Sequence, residues 1–331
     1  MNVRPFGMQD GEAVQEITLD DGQGAAARVI TWGATTRSLT VPGRNGSVEV
    51  LLGCETMDAY RAHGQYFGAI VGRYANRIAN ARFVLDGTRH NLVPNEGRHH
   101  LHGGPKGFGV RTWRILDADD ASSTLGLVSP DGDMGYPGRL VAICRHELLP
   151  GPTLRITLEA FSDRPTPANL VPHHYFNLDG AETIARHRLE VAADAFTPVD
   201  AEGVPSGDVA PISGTQADLR HPVPIPPGID SNFVLRGHDG SLRRVATLSA
   251  LGSGLTLDVW TTEPGLQVYD GHKIPPGTPG LGGRRYGPRA GICLEPQRFP
   301  DGPNEPGFPP CILRPGGVSR QITEYRFHSE A

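Results

Sequence analysis

Apolar and polar residues alternate along this chain in short runs. Residues 27–32, 82–85, 139–148, 154–160, 188–191, 245–248 and 255–261 each repeat with a period close to two. That period sends successive side chains to opposite faces of an extended strand. Turn signals separate the runs, among them Asp20-Asp21-Gly22, Asp86-Gly87, Asp131-Gly132-Asp133 and Pro150-Gly151. No stretch of about 12 residues or more holds a helical period of 3.6. Many short strands joined by Gly/Pro turns predict a mainly β protein: a large antiparallel β-sandwich with few short helices.

Composition strengthens this reading. The chain of 331 residues carries 43 Gly and 30 Pro, which favour turns and weaken helix interiors. Two Pro/Gly-rich segments, 222–228 and 275–288, read as long surface loops, where function often resides. No internal repeat, charge run or shift in composition marks a boundary, so residues 1–331 are expected to form one domain. At 38 % hydrophobic and 20 % charged the chain can bury a sizeable core.

A net charge of −5 and the lack of any basic stripe argue against a nucleic-acid or membrane-surface partner. Met1 to Glu12 contains no apolar leader, which predicts a cytoplasmic protein, and no apolar run nears the roughly 18 residues of a membrane span. The cysteines, Cys54, Cys144, Cys293 and Cys311, form no Cys-x-x-Cys pair. They are expected to be reduced, partly buried thiols.

Candidate chemistry lies in two segments. One reads His173-His174-Tyr175-Phe176-Asn177-Leu178 and the other Ile292-Cys293-Leu294-Glu295-Pro296-Gln297-Arg298-Phe299-Pro300-Asp301. Each places a proton-transfer group in apolar, aromatic surroundings. An imidazole and a carboxylate that converge can exchange protons with a bound polar ligand, with no cofactor. On a strand His173 shares a face with Tyr175, and His174 shares the other with Phe176. Partial burial would raise the pKa of Glu295 and neighbouring cations or amides would lower it, leaving it ionised at neutral pH.

Other segments offer ligand-binding groups. Gly72-Arg73-Tyr74-Ala75-Asn76-Arg77-Ile78 contains a guanidinium, Arg77, whose rigid fork suits vicinal hydroxyls. Asn76 beside it can donate and accept, and Arg73 reads as structural. His99, His100 and His102 are close in sequence, but the glycines after Leu101-His102 make a shared helical face, and with it a zinc site, a poor reading. Gly103 and Gly104 suit close backbone approach to a ligand. Asp230, in Asp230-Ser231-Asn232-Phe233, can accept from hydroxyls or cap a turn. Gln267, in Thr261-Thr262-Glu263-Pro264-Gly265-Leu266-Gln267, can satisfy a further hydroxyl, while Glu263 shapes the turn before Pro264. Gly252-Ser253-Gly254 lacks the βαβ context of a dinucleotide site, Asp131-Gly132-Asp133 lacks further calcium ligands, and no Gly-x-Ser-x-Gly elbow exists.

In order, type and spacing, these motifs between Tyr66 and Asp301 resemble the aldose 1-epimerase (galactose mutarotase) family. The resemblance implies a galactose mutarotase-like supersandwich. It implies that Glu295 is the general base and His173 the general acid, the family motif being His, any residue, Tyr-Phe-Asn-Leu. Two departures stand out: Pro172 where Asn is frequent, and the second imidazole of His174. It further implies that Asn76, Arg77, His102, Asp230 and Gln267 hold the sugar, with His102 near the ring oxygen. The expected activity is interconversion of the α and β anomers of free aldoses such as galactose or glucose, by a monomer or homodimer without metal or cofactor. Two alternatives stand beside it: a glycoside hydrolase using Asp230 and Glu295, and a non-catalytic sugar-binding module.

Overall fold

The computed structural model describes residues 2–44, 46–63 and 66–329. Three sheets dominate it, and every pair of neighbouring strands in them runs antiparallel. The largest has nine strands, with Thr153–Ser162 and Ser319–Ser329 near its middle and Arg114–Ala118 at one edge. A six-stranded sheet runs in the order Tyr175–Phe176, Ile292–Gln297, Gly265–Tyr269, Asp230–Leu235, Ala193–Thr197, Ala210–Pro211. Strands from Asn2–Gln9 to Gly46–Glu49 make a five-stranded sheet in chain order. The single α-helix among the described residues, Met57–His63, has seven residues. No described helix is long and apolar enough to cross a membrane.

All seven alternating runs of the sequence fall on strands, for example Leu140–Leu149, Thr153–Ser162 and Leu255–Thr261. In Leu255–Thr261 the residues Leu255, Leu257 and Val259 are buried, while Thr256, Asp258 and Trp260 are half exposed. The buried set joins a core cluster shared by all three sheets. It includes Ile156, Leu158, Tyr325 and Phe327 from the nine-stranded sheet, Phe233, Leu266, Val268, Ile292 and Leu294 from the six-stranded sheet, and Ile17, Val29 and Leu39 from the N-terminal sheet. A buried Leu, Ile or Phe side chain contributes about 1.5–3 kcal/mol, so this cluster is the main stabilising element.

Unlike the alternating strands, Ile292–Gln297 and Gly265–Tyr269 are buried at every position. Their two faces have different chemistry. Ile292, Leu294, Leu266 and Val268 point into the core. Cys293, Glu295, Gln297, Gln267 and Tyr269, one residue out of phase, occupy the opposite face. The chain beyond the sheet covers that second face, and this is why polar residues there are buried too.

The loops differ from the sequence expectation in two places. Segment 275–288 is a small hairpin rather than plain surface loop: Thr278–Pro279 pairs with Arg285–Tyr286, and the Tyr286 ring is buried against Phe67. In segment 222–228, Val223–Pro224 adds an edge strand to the nine-stranded sheet. All four thiols, expected to be partly buried, are buried outright.

Candidate active site

Register on the covered face of the six-stranded sheet assembles the site. Tyr175, Cys293, Tyr269 and Asp230 stand opposite one another across four strands. The next row holds Glu295, Gln267, Asn232 and Thr197. Directly paired residues of neighbouring strands lie about 5 Å apart, so these rows form one polar floor. Strong register follows from the apolar opposite face: a one-residue slip would drive Glu295 and Gln267 into the core.

His173 reaches this floor from the turn between Val171–Pro172 and Tyr175–Phe176. Its Nε2 lies 3.6 Å from a carboxylate oxygen of Glu295, and its Nδ1 lies 3.6 Å from Cys293 Sγ. Three rings surround it, with centroids at 5.2 Å for His102, 5.9 Å for Tyr66 and 5.2 Å for Tyr175.

The opposing wall comes from a short ladder between Arg77–Ile78 and His100–Leu101. Asn76, at φ 61°, donates its backbone N–H to His102 Nδ1 at 3.2 Å. In the neutral ring this leaves the proton on His102 Nε2 as a donor. The Asn76 side-chain oxygen accepts from the Arg77 N–H at 2.8 Å, so its NH2 remains to donate. Glu96 grips Arg77 in a fork of 2.6 and 2.9 Å, which orients the guanidinium. On the floor, Gln297 Nε2 donates to Gln267 Oε1 at 3.2 Å, and Gln267 Nε2 donates to Asp230 at 2.7 Å. This relay orients the Gln267 amide and leaves it one N–H. Lys273 Nζ stands 3.9 Å from the other Asp230 oxygen.

These groups enclose a cavity of about 180 Å³ lined by both wall and floor, with Tyr66, His173 and Glu295 among its lining residues. A second cavity of about 450 Å³ shares Asn76, Arg77, Asp230, Gln267 and Lys273 with it and extends past Thr197 and Asp200. The seven residues expected to act together, Asn76, Arg77, His102, His173, Asp230, Gln267 and Glu295, all line the inner cavity.

Electrostatics depart from expectation. Burial pushes the Glu295 carboxyl well above its ordinary range, and the Asp230 charge pushes it further the same way. Burial also pulls His173 down to about 4. The sequence predicted an ionised Glu295, and an Asp230 that raises the pKa of His173. Instead no cation offsets the desolvation of Glu295, because Arg77 is taken by Glu96, and Asp230 acts on the glutamate. Both shifts favour the neutral forms, a protonated carboxyl beside a neutral imidazole.

The glycines after His102 also have a different role. At Gly103, φ is 85° and an added Cβ would lie 1.8 Å from the Gly72 carbonyl oxygen. The close approach is to the chain's own backbone, and it sets His102 against the Asn76 segment. The neighbouring histidines take separate partners. His99 Nδ1 accepts from the Asn80 N–H, and His100 Nδ1 donates to the Val93 carbonyl. Arg73 is structural: its guanidinium donates to Ser129 Oγ and to the carbonyl oxygens of Pro130, Pro137 and Gly138.

Sequence reasoning missed Tyr66, Glu96, Cys293 and Gln297. For Cys293 and Gln297 the signal was there, since both alternate with Leu294 and Pro296 and share the face of Glu295. For Tyr66 and Glu96 no local pattern exists, because loops bring them in.

Comparison with known proteins identifies the family. The family model described as Aldose 1-epimerase matches residues 15–326. An aldose 1-epimerase of Escherichia coli K12 is 37 % identical over 346 residues, covering 100 % of both chains. A galactose mutarotase of Bos taurus is 40 % identical over 312 residues, covering 90 % of each. Among solved structures, an aldose epimerase homologue from C. elegans superposes with a TM-score of 0.91 at 30 % identity, covering 96 % of this chain and 100 % of that one. A galactose 1-epimerase from Lactobacillus acidophilus gives 0.87 at 28 %, covering 100 % and 99 %. With a family match across nearly its full length and relatives this similar along all of it, the chain belongs to the aldose 1-epimerase family.

Proposed function

We propose that this protein, read as one domain over residues 1–331, is an aldose 1-epimerase that interconverts the α and β anomers of free aldoses such as galactose or glucose. The observation that carries this reading is the Glu295–His173 pair, 3.6 Å apart at the end of a cavity walled by hydroxyl-binding groups. Anomer exchange needs one proton taken from the C1 hydroxyl and one given to the ring oxygen. Glu295 takes the first as carboxylate, and His173 gives the second as imidazolium. The ring opens to an aldehyde, the C1–C2 bond turns, and closure on the other face returns both protons.

The ligand-free pair holds the same number of protons as the reactive pair. It differs only in having the proton on Glu295 instead of His173. A sugar that donates from C1–OH to Glu295 and accepts at its ring oxygen from His173 favours the charge-separated form. Asn76, Arg77, His102, Asp230 and Gln267 supply orientation by holding the hydroxyls. Gln267 has one amide N–H left to donate, and Asp230 has acceptor capacity left.

Polarimetry of freshly dissolved α-galactose, α-glucose and other pure anomers tests the reading. The protein should speed the approach to anomeric equilibrium and leave glycosides uncut. If no aldose mutarotates faster than in buffer, the proposal fails. If glycosides are cleaved, Asp230 and Glu295 form a hydrolase pair instead.

A further inference from the structure

Among the described residues, the Lys and Arg side chains that line the two joined cavities are Arg77 and Lys273, and each lines both. The Arg77 charge is already matched, because Glu96 holds the guanidinium in its fork at 2.6 and 2.9 Å. Lys273 is held only loosely. Its Nζ stands 3.9 Å from Asp230, beyond hydrogen-bonding reach, and its side chain is 57 % exposed. The backbone beneath it is fixed. The Lys273 N–H donates to the Tyr269 hydroxyl at 3.0 Å, His272 before it meets the buried Asp270 at 2.7 Å, and Ile274 after it packs in an apolar cluster. A pinned turn therefore carries a loosely held ammonium at the junction of the two cavities.

The sheet sets where that ammonium lies relative to the reacting pair. Glu295 and Asp230 stand on strands with Gly265–Tyr269 between them, so two strand spacings, roughly 10 Å, separate their backbones. One pyranose ring with a hydrogen bond at each end suits that span. With C1 at Glu295 and the ring oxygen at His173, the opposite side of the sugar, its C4 hydroxyl and C6 arm, comes to Asp230 and Lys273.

We infer that Lys273 is a specificity-determining residue, and that the site accepts an aldose carrying a carboxylate at C6, a hexuronic acid such as galacturonic acid. This inference rests on the proposed function and narrows its substrate class. An ammonium has three donors, so it can meet a C6 carboxylate while staying beside Asp230. The bond is charge-assisted, which favours a carboxylate over the neutral CH2OH of galactose. One negative charge is what the site can match. Asp200 and Glu202 line the outer cavity and the Arg77 charge is taken, so the dianion of a 6-phosphate meets repulsion instead.

Mutarotation of galacturonate and galactose, followed by polarimetry at neutral pH and fixed ionic strength, tests this. The parent should act on both. Lys273→Met should lower kcat/KM for galacturonate relative to galactose by roughly tenfold or more, the scale of a hydrogen bond to a charged group. The loss should sit in KM, because Lys273 touches neither reacting atom. Lys273→Arg, which keeps the charge, should retain most of the preference, whereas a role confined to holding the turn would affect both sugars alike. Galactose 6-phosphate should be the poorest of the three. A parent that acts on galactose and not galacturonate, a relative change below about twofold in Lys273→Met, or a 6-phosphate used as well as galacturonate would overturn the inference and leave the proposed function standing. If no aldose is mutarotated, the functional reading fails and calorimetric binding of galacturonate decides the rest. Binding lost in Lys273→Met keeps the carboxylate site, and binding that persists there or is absent in the parent sinks it.

Discussion

His173 and His174 are adjacent in the chain and live in opposite environments. His173 faces the covered side of the six-stranded sheet, where Glu295, Cys293, His102 and a cavity surround it. His174 faces the core. Its ring lies against Phe176 and Tyr325, and neither ring nitrogen has a hydrogen-bond partner. Burial lowers the pKa of both, to about 4 for His173 and about 3 for His174, where the nearby His146 adds to the effect. Depressed basicity therefore does not tell a reactive histidine from an inert one. What separates them is access: one imidazole can reach a ligand and a carboxyl group, while the other meets only aromatic rings.

Removing the reactive members should give the largest effects. Glu295→Gln keeps the shape and loses the proton acceptor, so mutarotation should fall by roughly 10²–10⁴-fold while sugar still binds. His173→Asn should fall as far or further. His174→Leu should stay within a few-fold of the parent rate. Leucine is the informative change, because asparagine would bury an amide among aromatic rings with nothing to bond it. A dead His174→Leu enzyme beside an active His173→Asn would reverse the assignment of the two faces.

Burial of His174 should also show in stability. A histidine whose folded pKa lies below its unfolded value of 6.5 contributes no penalty above that pH, and its stability is lost as pH falls from 6.5 towards the folded pKa. For His174 that window runs down to about 3. The full penalty is on the order of 5 kcal/mol, at about 1.4 kcal/mol per unit. His146, also pulled to about 4 by burial, adds in the same direction. Denaturant melts of the parent should therefore weaken steeply between pH 6.5 and 4. The slope should be shallower for His174→Leu, which also removes two unpaired polar atoms from the core. Equal slopes for parent and variant would mean that His174 is not the buried neutral group described.

Much of this comparison was legible in the sequence. Alternation put His173 and His174 on opposite faces and the family resemblance chose between them, and the same period in Ile292–Gln297 separates Glu295 from Leu294. The antiparallel sandwich was legible from its short runs and turns. What stayed hidden depends on pairing between distant segments. The fork of Glu96 on Arg77 joins a loop to a strand 19 residues away, and it leaves Glu295 without a cation. The role of Gly103 depends on a carbonyl at Gly72, some thirty residues upstream. Segment 275–288 looked like loop because Pro and Gly dominate it, while the partners that bury Tyr286, Phe67 among them, come from elsewhere.

The smallest expected effect concerns how Asp230 bears on the pair. Activity needs one proton shared between Glu295 and His173, so the two titrate as a unit with macroscopic values. Adding a second proton stops the reaction, and this places the acid limb of kcat/KM near the low value of His173, about 4. Losing the only proton stops it as well, and this sets the alkaline limb from the raised carboxyl. The Asp230 charge contributes to that rise. Asp230→Asn removes the charge, so the one-proton state should end earlier and the alkaline limb should move down. The acid limb should move little, because Asp230 acts on Glu295 and not on His173. Rate at a single pH is a poor measure here, since the substitution also loosens Gln267 and with it the sugar. Limb positions from full profiles with saturating and limiting aldose avoid that difficulty. An alkaline limb that stays in place, or moves up, would mean that Asp230 does not feel Glu295, and that sequence alternation had placed the two on one face without coupling them.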